Sequence, residues 1–289
     1  MLEHDLDVLR RAYARRVCFA ANADDPRLET ALAETRREAF LGPGPWDLPV
    51  MSPTPTPAYR RTPDSDPSWL YHDALVGLIP EKELNNGMPS FLTYLISLGR
   101  IAAGEHVVHI GAGVGYYTAI LAHLVGESGQ VTAIEYEPEL AARAHANLAG
   151  FPQVQAAWGD GATAVLAPAD VILVNAGAAR PADTWLDALK EGGRLIVPLA
   201  VGYNGPRGLA GTRGGIFVIE RCGDRFDAAW RSATAIYPCI GLQDADSAAS
   251  LADAFKHGGV EKVRRFYRTA DVPDEICWAR GPGWALAYA

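Results

Sequence analysis

The chain has 289 residues, of which 49% are hydrophobic and 21% charged, with a formal net charge of −8 and an isoelectric point near 5.4. This composition is typical of a globular protein with a sizeable core, and its acidic balance argues against nucleic acid as a partner. Four scattered cysteines without a C-x-x-C pair and the absence of any membrane-length apolar run predict a cytoplasmic protein with no metal site and no membrane attachment, of unknown oligomeric state.

Two helices and a proline-rich loop are predicted at the start of the chain. Apolar side chains recur at spacings of three and four and predict an opening helix: Leu2, Leu6, Leu9, Tyr13 and Val17. Asp25 as cap and Pro26 in the first turn predict a second helix, which ends at "GPGPW", residues 42–46. We therefore assign an N-terminal helical segment to residues 1–48. Six prolines predict a loop or extended cover over residues 49–67, because proline sustains neither a helix nor a central strand.

Strand-like and helical segments alternate from residue 104 onward. Five apolar runs read as strands: "HVVHI", "QVTAIE", "VQAAW", "DVILVN" and "GRLIVPL". Helical stretches fall between them, near residues 116–126, 138–149 and 181–190. Such alternation is typical of an α/β fold with a doubly wound, mostly parallel sheet of the Rossmann-like kind.

The end of the predicted sheet differs from its beginning. After residue 214, "GIFVIER" and "AWRSATAIYP" follow each other without room for a helix, so an antiparallel hairpin completes a seven-stranded sheet. We assign the core domain to residues 68–241. The remaining residues, 242–289, contain one helical segment and strand-like runs, and we interpret them as a small C-terminal α+β annex.

A glycine-rich loop follows the first strand of the alternating region. Gly111, Gly113 and Gly115 lead into a helix, an arrangement that lets the backbone approach a ligand at the positive helix terminus. A tight strand-to-helix turn is the alternative. Tyr116 occupies the position of the last glycine of a dinucleotide fingerprint, and no Gly-Lys-Ser/Thr sequence is present. Dinucleotides and purine triphosphates are therefore disfavoured.

An acidic residue lies at the end of the second strand, and another follows the third strand. Glu135 ends the second strand, about twenty residues past Gly115, where an acidic side chain in this topology reaches both hydroxyls of a ribose. Asp160 follows the third strand, where a carboxylate could accept a hydrogen bond from an adenine amino group. In open α/β sheets such loops share one crevice, so we expect both acids to bind one ligand. Taken singly, each could instead be a solvated loop acid.

Longer segments carry a family resemblance. "HIGAGVGYYTAILAHLVG", "AIEYEPELAARAHANL", "GDG" and "LDALKEGGRLIVPL" resemble the class I S-adenosylmethionine-dependent methyltransferases, in particular the protein-L-isoaspartate O-methyltransferase family. The resemblance implies S-adenosylmethionine as cofactor and O-methylation of a carboxylate in a peptide, protein or small metabolite. It also implies cofactor contacts, with the loop glycines and Ala112 beside the methionine part, Glu135 at the ribose, Tyr136 at the adenine face, and Asp160 with Gly161 at the adenine edge.

The stretch "ELNNGMPSF" departs from that family. Its members carry a Thr-Ile-Ser-x-Pro-His type motif, whose serine hydroxyl sits beside the methyl donor and acceptor. Anchored on Pro89, this chain has Gly87 at the serine position, preceded by Asn85 and Asn86. These three are the catalytic candidates, although a simple turn with Pro89 opening the next helix would also explain them. The residues expected to bind the acceptor are Asn85, Asn86, Ser90, Asn175 and Arg180.

Several alternatives stay open at this level. Arg180 could pair with an acceptor carboxylate or simply cap the next helix. A carboxylate acceptor is ionised at neutral pH and needs no general base, so His109, inside the first strand, is interpreted as a core histidine. Besides a carboxyl methyltransferase, the sequence allows a small-molecule biosynthetic methyltransferase with another nucleophile, or a non-catalytic family member that binds the cofactor.

Overall fold

The computed structural model of the chain describes residues 3–50, 58–204 and 210–289. The chain divides into two compact units. The first comprises Met1–Glu105 and Ala112–Gly159, and the second His106–Gly111 and Asp160–Ala289. Within the described ranges no helix is long and apolar enough to cross a membrane.

The helices and strands are numbered in chain order. The helices are α1 (Glu3–Ala20), α2 (Pro26–Glu34), α3 (Arg37–Leu41), α4 (Pro89–Leu98), α5 (Tyr116–Val125), α6 (Pro138–Asn147), α7 (Asp183–Ala188) and α8 (Ala245–His257). The strands are β1 (Asp47–Val50), β2 (Ala58–Arg61), β3 (Gly77–Ile79), β4 (Leu84–Asn85), β5 (His106–Ile110), β6 (Gln130–Glu135), β7 (Val154–Trp158), β8 (Ala169–Val174), β9 (Leu189–Asn204), β10 (Ala210–Cys222), β11 (Arg225–Ile236), β12 (Arg265–Tyr267), β13 (Cys277–Gly281) and β14 (Trp284–Ala287).

The N-terminal helices begin where they were predicted to begin, but the second one ends earlier than predicted. The opening helix is confirmed as α1, although Leu2 lies outside the described residues. Asp25 caps α2 by accepting the Arg27 N–H, with Pro26 at the first helical position, as expected. The single helix predicted up to "GPGPW" is wrong, because α2 ends at Glu34 and α3 begins at Arg37. Thr35 breaks it: its backbone is extended and its hydroxyl donates to the Ala31 carbonyl, 2.7 Å away.

The first residue of α3, directly after the break, is the buried Arg37. The Arg37 guanidinium donates through Nη1 to the carbonyl oxygens of Leu70, at 2.6 Å, and His72, at 3.3 Å. It also lies over the rings of Tyr13 and Tyr116, 5.5 Å from each centroid. Cation–π contact is one of the few ways to accommodate a desolvated cation without an acidic partner. Arg37 thus ties α1, the segment at residues 70–72 and the start of α5 together within the first unit.

The proline-rich segment contains strands at its ends. Residues 51–57 lie outside the described ranges, but β1 and β2 on either side pair antiparallel, with Pro49 opposite Tyr59. The predicted loop over residues 49–67 is therefore corrected at residues 49–50 and 58–61, which belong to strands. Proline lacks only the N–H donor, and its fixed φ suits extended backbone near a sheet edge. The small sheet of the first unit has the strand order β2-β1-β3-β4.

The first unit also contains a parallel strand pair with the predicted boundaries. β6 pairs with β7 from Val131↔Val154 to Glu135↔Trp158, and α5 and α6 are the helices that follow the glycine loop and β6. In parallel strands the carboxyl ends lie on the same side. Glu135 and Trp158 therefore stand next to each other at the end of the pair.

The second unit contains a mixed sheet of its own strands. β5 pairs with β8 and β8 with β9 in parallel, whereas β9, β10 and β11 are antiparallel neighbours, which confirms the predicted hairpin. The C-terminal strands then continue the sheet beyond β11 in the order β12, β14, β13. Phe226 of β11 lies opposite Phe266 of β12, with ring centroids 6.3 Å apart. The C-terminal strands thereby cover what would otherwise be an exposed sheet edge.

Candidate active site

The glycine loop of the first unit presents a backbone donor to an acidic side chain. The Gly113 N–H donates to Glu135 Oε2 at 2.6 Å, and the Ala112 N–H donates to the Ile134 carbonyl oxygen at 3.2 Å. Gly113 has a φ of +58°, and a Cβ built on it would meet only Leu78 Cδ1, at 3.9 Å. A left-handed backbone with open space beside it is what a close ligand contact requires. The loop is therefore directed toward the carboxyl end of β6.

Glu135 is the most constrained acidic group of the first unit's predicted site. Its residue is 8% exposed, and its second oxygen, Oε1, accepts the Glu137 N–H at 2.9 Å. Burial raises the pKa of Glu135 above its usual range, although backbone hydrogen bonds from Glu137, Gly113 and Tyr136 act in the opposite direction. Two carboxylate oxygens have about four acceptor positions in all, so the group keeps capacity for a further donor. The carboxylate can therefore accept a hydrogen bond from a ligand hydroxyl group.

Two exposed aromatic side chains lie beside Glu135. Tyr136 follows it in the chain, and Trp158 is its register partner on β7. The Trp158 indole N–H donates to the Tyr136 carbonyl oxygen at 3.0 Å. Sequence reasoning selected Tyr136 but missed Trp158. The sequence feature that could have pointed to Trp158 is its position at the end of the third parallel strand, two residues before Asp160.

In the second unit, Asp160 and Gly161 form a tight turn. Asp160 Oδ1 accepts the Ala162 N–H at 2.9 Å, and a Cβ on Gly241 would lie 2.5 Å from Asp160 Oδ2. Burial, and then the charge of Asp160, raise the pKa of Cys239 to about 11. A Cβ on Gly161 would lie 2.5 Å from Ile110 Cγ2, so no larger residue fits there. The cofactor role predicted for Asp160 and Gly161 stays a prediction.

The two predicted acceptor residues of the second unit make local contacts. Asn175 donates through Nδ2 to the Gly111 carbonyl oxygen at 3.4 Å, and its backbone N–H donates to the Ile110 carbonyl oxygen at 2.8 Å. Arg180 Nη1 lies 3.1 Å from the Pro181 carbonyl oxygen and 3.4 Å from Asp183 Oδ2. The Arg180 contacts are therefore local, to the next residue and to Asp183 in the first turn of α7, whose N-cap Ala182 has no side-chain hydrogen bond. Acceptor binding by Asn175 and Arg180 stays a prediction.

The "NNGMP" stretch of the first unit forms a turn that is held by side-chain hydrogen bonds. Asn85 Oδ1 accepts the Gly87 N–H at 2.9 Å, and Asn85 Nδ2 donates to the Glu83 carbonyl oxygen at 3.3 Å. This is an Asx turn, in which a side chain replaces a backbone acceptor. Asn86 is different: it is 6% exposed, and its Nδ2 makes no hydrogen bond to any described residue. The turn explanation therefore fits Asn85, whereas Asn86 keeps a buried donor available.

Gly87 is enclosed by apolar side chains. Its φ is +73°, and a Cβ built on it would lie 2.6 Å from Leu92 Cδ2 and 3.9 Å from Tyr117 Cε2. The Tyr117 hydroxyl oxygen lies 3.5 Å from the Gly87 carbonyl oxygen. Because Tyr117 belongs to the first turn of α5, the turn at Gly87 rests on the helix that follows the glycine loop. The structure thus places the turn that contains the catalytic candidates against the first turn of α5.

A residue that sequence reasoning missed fixes the start of α4. The Ser90 N–H donates to Asp73 Oδ1 at 2.8 Å, and α4 has no cap from its own N-terminal residue Met88. An acidic side chain at a helix N-terminus is favourable both as an acceptor and through the helix dipole. Asp73 lies 17 positions before Ser90. No local pattern connects the two residues in the sequence.

Replacing Asn85 tests whether the Asx turn holds the loop. We expect Asn85→Ala to lower the free energy of unfolding by about 1 kcal/mol, because the Gly87 N–H loses its acceptor. Asn85→Asp keeps that acceptor and should stay close to the wild type. Urea unfolding of both variants measures the difference, and equal stabilities would show that the Asn85 side chain does not maintain the turn.

His109 is a core residue and not a catalytic candidate. His109 is buried in β5, and burial lowers its pKa to about 4, so it stays neutral near physiological pH. It is the core histidine expected from the sequence. Across the described ranges, His, Cys, Asp and Glu form no group of three or more that could hold a metal ion.

Comparison with protein families gives a consistent result. The family model for protein-L-isoaspartate(D-aspartate) O-methyltransferase (PCMT) matches residues 78–214. A protein-L-isoaspartate O-methyltransferase of Methanoregula boonei is 33% identical over 221 residues, which cover 75% of this chain and 86% of the relative. One of Ignicoccus hospitalis is 37% identical over 115 residues, 38% of this chain and 54% of the relative. The chain therefore spans only about half the length of several relatives that it matches.

Solved structures agree in fold. A protein-L-isoaspartate O-methyltransferase structure has a TM-score of 0.60 at 20% identity and covers 100% of this chain and 88% of its own. A putative member from Plasmodium falciparum, solved in complex with S-adenosyl-L-homocysteine, has a TM-score of 0.54 at 13% identity, with coverage of 80% and 97%. At these identities the likeness concerns the fold. It confirms the predicted Rossmann-like α/β class.

Proposed function

Because the chain belongs to the protein-L-isoaspartate(D-aspartate) O-methyltransferase family, we propose that it transfers a methyl group from S-adenosylmethionine to a carboxylate of a peptide or protein. The observation that carries this proposal is Glu135, a buried carboxylate at the end of β6 that is held by the N–H groups of Gly113 and Glu137. Such an acid after the second parallel strand is suited to the two hydroxyls of a ribose.

The remaining groups near Glu135 fit the other parts of the cofactor. Gly113 offers open space beside a left-handed backbone, which suits the methionine part. Tyr136 and Trp158 offer exposed aromatic surface for the adenine face. When bound, S-adenosylmethionine supplies a sulfonium methyl group. The predicted contacts of Asp160 and Gly161 with the adenine edge belong to the same proposal.

On the acceptor side, the chain needs to orient a nucleophile rather than to deprotonate it. A carboxylate is already ionised at neutral pH, so transfer depends on alignment and on the exclusion of water. Buried Leu92 and Tyr117 line the turn at Gly87 and keep it apolar. Asn86 Nδ2 is a buried donor that lacks a partner among the described residues, and it can donate to an acceptor carbonyl or carboxylate oxygen.

A second candidate function is favoured by one residue. Gly87 stands where the family motif has a serine hydroxyl, so the chain could bind the cofactor without transferring its methyl group. A small-molecule acceptor on the same scaffold is the remaining alternative. The cytoplasmic location belongs to the proposal and is supported by four cysteines that are all free thiols.

A transfer assay tests the function directly. The chain is incubated with methyl-labelled S-adenosylmethionine and a peptide containing one isoaspartyl residue, with the corresponding aspartyl peptide as control. We expect a base-labile methyl ester on the isoaspartyl peptide. Ester on the aspartyl peptide would instead indicate a changed acceptor. No ester on either peptide, with cofactor binding intact, would contradict peptide methylation and favour one of the alternatives.

A further inference from the structure

One segment of the first unit contacts two residues whose backbone N–H groups hold Glu135. We call residues 77–88 the strap; it contains β3, a 3₁₀ turn at Pro80–Lys82, and β4. Its ends are anchored by pairing between Gly77 and Asp47, and by the Asn86 N–H, which donates to the Val76 carbonyl oxygen at 2.8 Å. Its middle part, from residue 80 to residue 85, is only partly buried or exposed. The strap is therefore fixed at its ends and open to solvent in between.

The strap contacts both residues that hold Glu135. The Leu78 side chain lies against Gly113, with Cδ1 3.9 Å from the place of a Cβ on that glycine. Lys82 Nζ lies 2.7 Å from Glu137 Oε2. The backbone N–H groups of both Gly113 and Glu137 donate to the Glu135 carboxylate. The strap thus extends from one donor of this carboxylate to the other.

Access to Glu135 is restricted in this arrangement. Only 8% of the surface of Glu135 is exposed, so a ribose can approach the carboxylate only through the small part that is open. The Lys82–Glu137 ion pair joins the middle of the strap to the β6–α6 turn. Lys82 is 50% exposed and Glu137 15% exposed at their side chains. Partly exposed ion pairs are weak and open readily, so this contact can break without unfolding the unit.

The backbone directly after Lys82 has an unusual conformation. Glu83 follows it at a φ of +57°, in the left-handed region that non-glycine residues seldom adopt, and it ends the 3₁₀ turn. Lys82 brings a positive charge to Glu137, and the charge of Glu137 contributes to the raised pKa of Glu135. Removing the cation would leave the Glu137 carboxylate without this ion pair.

From this geometry we propose that Lys82 and Glu137 are positioning residues that latch the strap over the ribose-binding carboxylate and control release of the cofactor. The proposal rests on the proposed function, since it takes the cofactor to be S-adenosylmethionine or its product. The latch closes when the ion pair forms. It opens when the pair separates, and opening exposes Glu135.

A charge-reversal experiment on the full chain tests the latch. The dissociation rate of S-adenosylhomocysteine is measured by stopped-flow displacement for Lys82→Glu, Glu137→Lys and the double variant. We expect each single variant to accelerate dissociation about two- to fivefold, the range of a weak ion pair, and the double variant to return close to the wild-type rate. Each single variant replaces attraction by repulsion and the swapped pair re-forms the attraction, so restoration assigns the change in dissociation rate to this ion pair.

A matched control comes from another exposed ion pair of the same unit. Arg27 and Asp25 lie 2.7 Å apart at the start of α2, away from the strap, and Arg27→Glu should leave the dissociation rate unchanged. Unchanged rates in the Lys82 and Glu137 variants, or no restoration in the double variant, would overturn the latch while leaving the proposed function intact. A wild-type chain that binds no S-adenosylhomocysteine would instead overturn the proposed function, and the latch with it.

Discussion

Glu135→Ala is expected to weaken S-adenosylhomocysteine binding by about 1–3 kcal/mol, which corresponds to a roughly 5- to 150-fold higher Kd. The carboxylate is held by two backbone N–H groups and is 8% exposed, so its remaining acceptor positions are directed and poorly solvated. Hydrogen bonds from ribose hydroxyls to such a charged acceptor are stronger than those between neutral groups. Isothermal titration calorimetry of the variant measures the loss.

Glu139→Ala provides the matched control, because Glu139 is exposed in the first turn of α6 and should leave the Kd unchanged. The pH dependence gives a second check. Burial raises the pKa of Glu135, so the carboxylate takes up a proton at a higher pH than an ordinary glutamate. Affinity should therefore be constant above that pKa and fall as the pH is lowered through it. An unchanged Kd in Glu135→Ala would show that the ribose binds elsewhere.

Gly87→Ser, which restores the serine of the family motif, is expected to destabilise the chain by about 2–4 kcal/mol instead of raising activity. Gly87 has a φ of +73°, which is strained for serine, and a Cβ would lie 2.6 Å from Leu92 Cδ2. Leu92 is buried, so it cannot move aside without disturbing the packing around α4. The free energy of unfolding in urea gives the magnitude.

A variant at a second glycine separates the two causes of the expected loss of stability, which are backbone strain at positive φ and the collision with Leu92. Gly223, in the turn between β10 and β11, has a φ of +63°, and a Cβ built on it would meet nothing within 4 Å, so Gly223→Ser should lose only about 1 kcal/mol. The difference between the two variants reports the collision with Leu92. A stable Gly87→Ser with increased methyl transfer would show that the turn at residues 85–88 adopts another conformation in the active protein.

The regular part of the fold could be predicted because its signals are local. The strand runs and glycine loop between residues 104 and 199 show their periodicity directly, and the rule that parallel strands end on one side identified Glu135. The end of α2 at Glu34 was missed for a physical reason. Helical periodicity continued past it to Phe40, whereas the break depends on the extended backbone and side-chain hydrogen bond of Thr35.

The acceptor side of the site was only partly predictable. Asn85 and Gly87 are typical turn residues, and the Asx turn follows from that chemistry. In contrast, the missing partner of Asn86 depends on what surrounds it in space. The contacts of Asp73 with Ser90 and of Lys82 with Glu137 join positions that are distant in the chain, and no sequence pattern marks such pairs.

Calorimetric titration of the full wild-type chain with S-adenosylhomocysteine decides whether the chain binds the product of S-adenosylmethionine through Glu135. We expect saturable binding of one molecule per chain, which is lost or strongly weakened in Glu135→Ala. The absence of binding to the wild-type chain would contradict the assignment of Glu135 as the ribose-binding carboxylate.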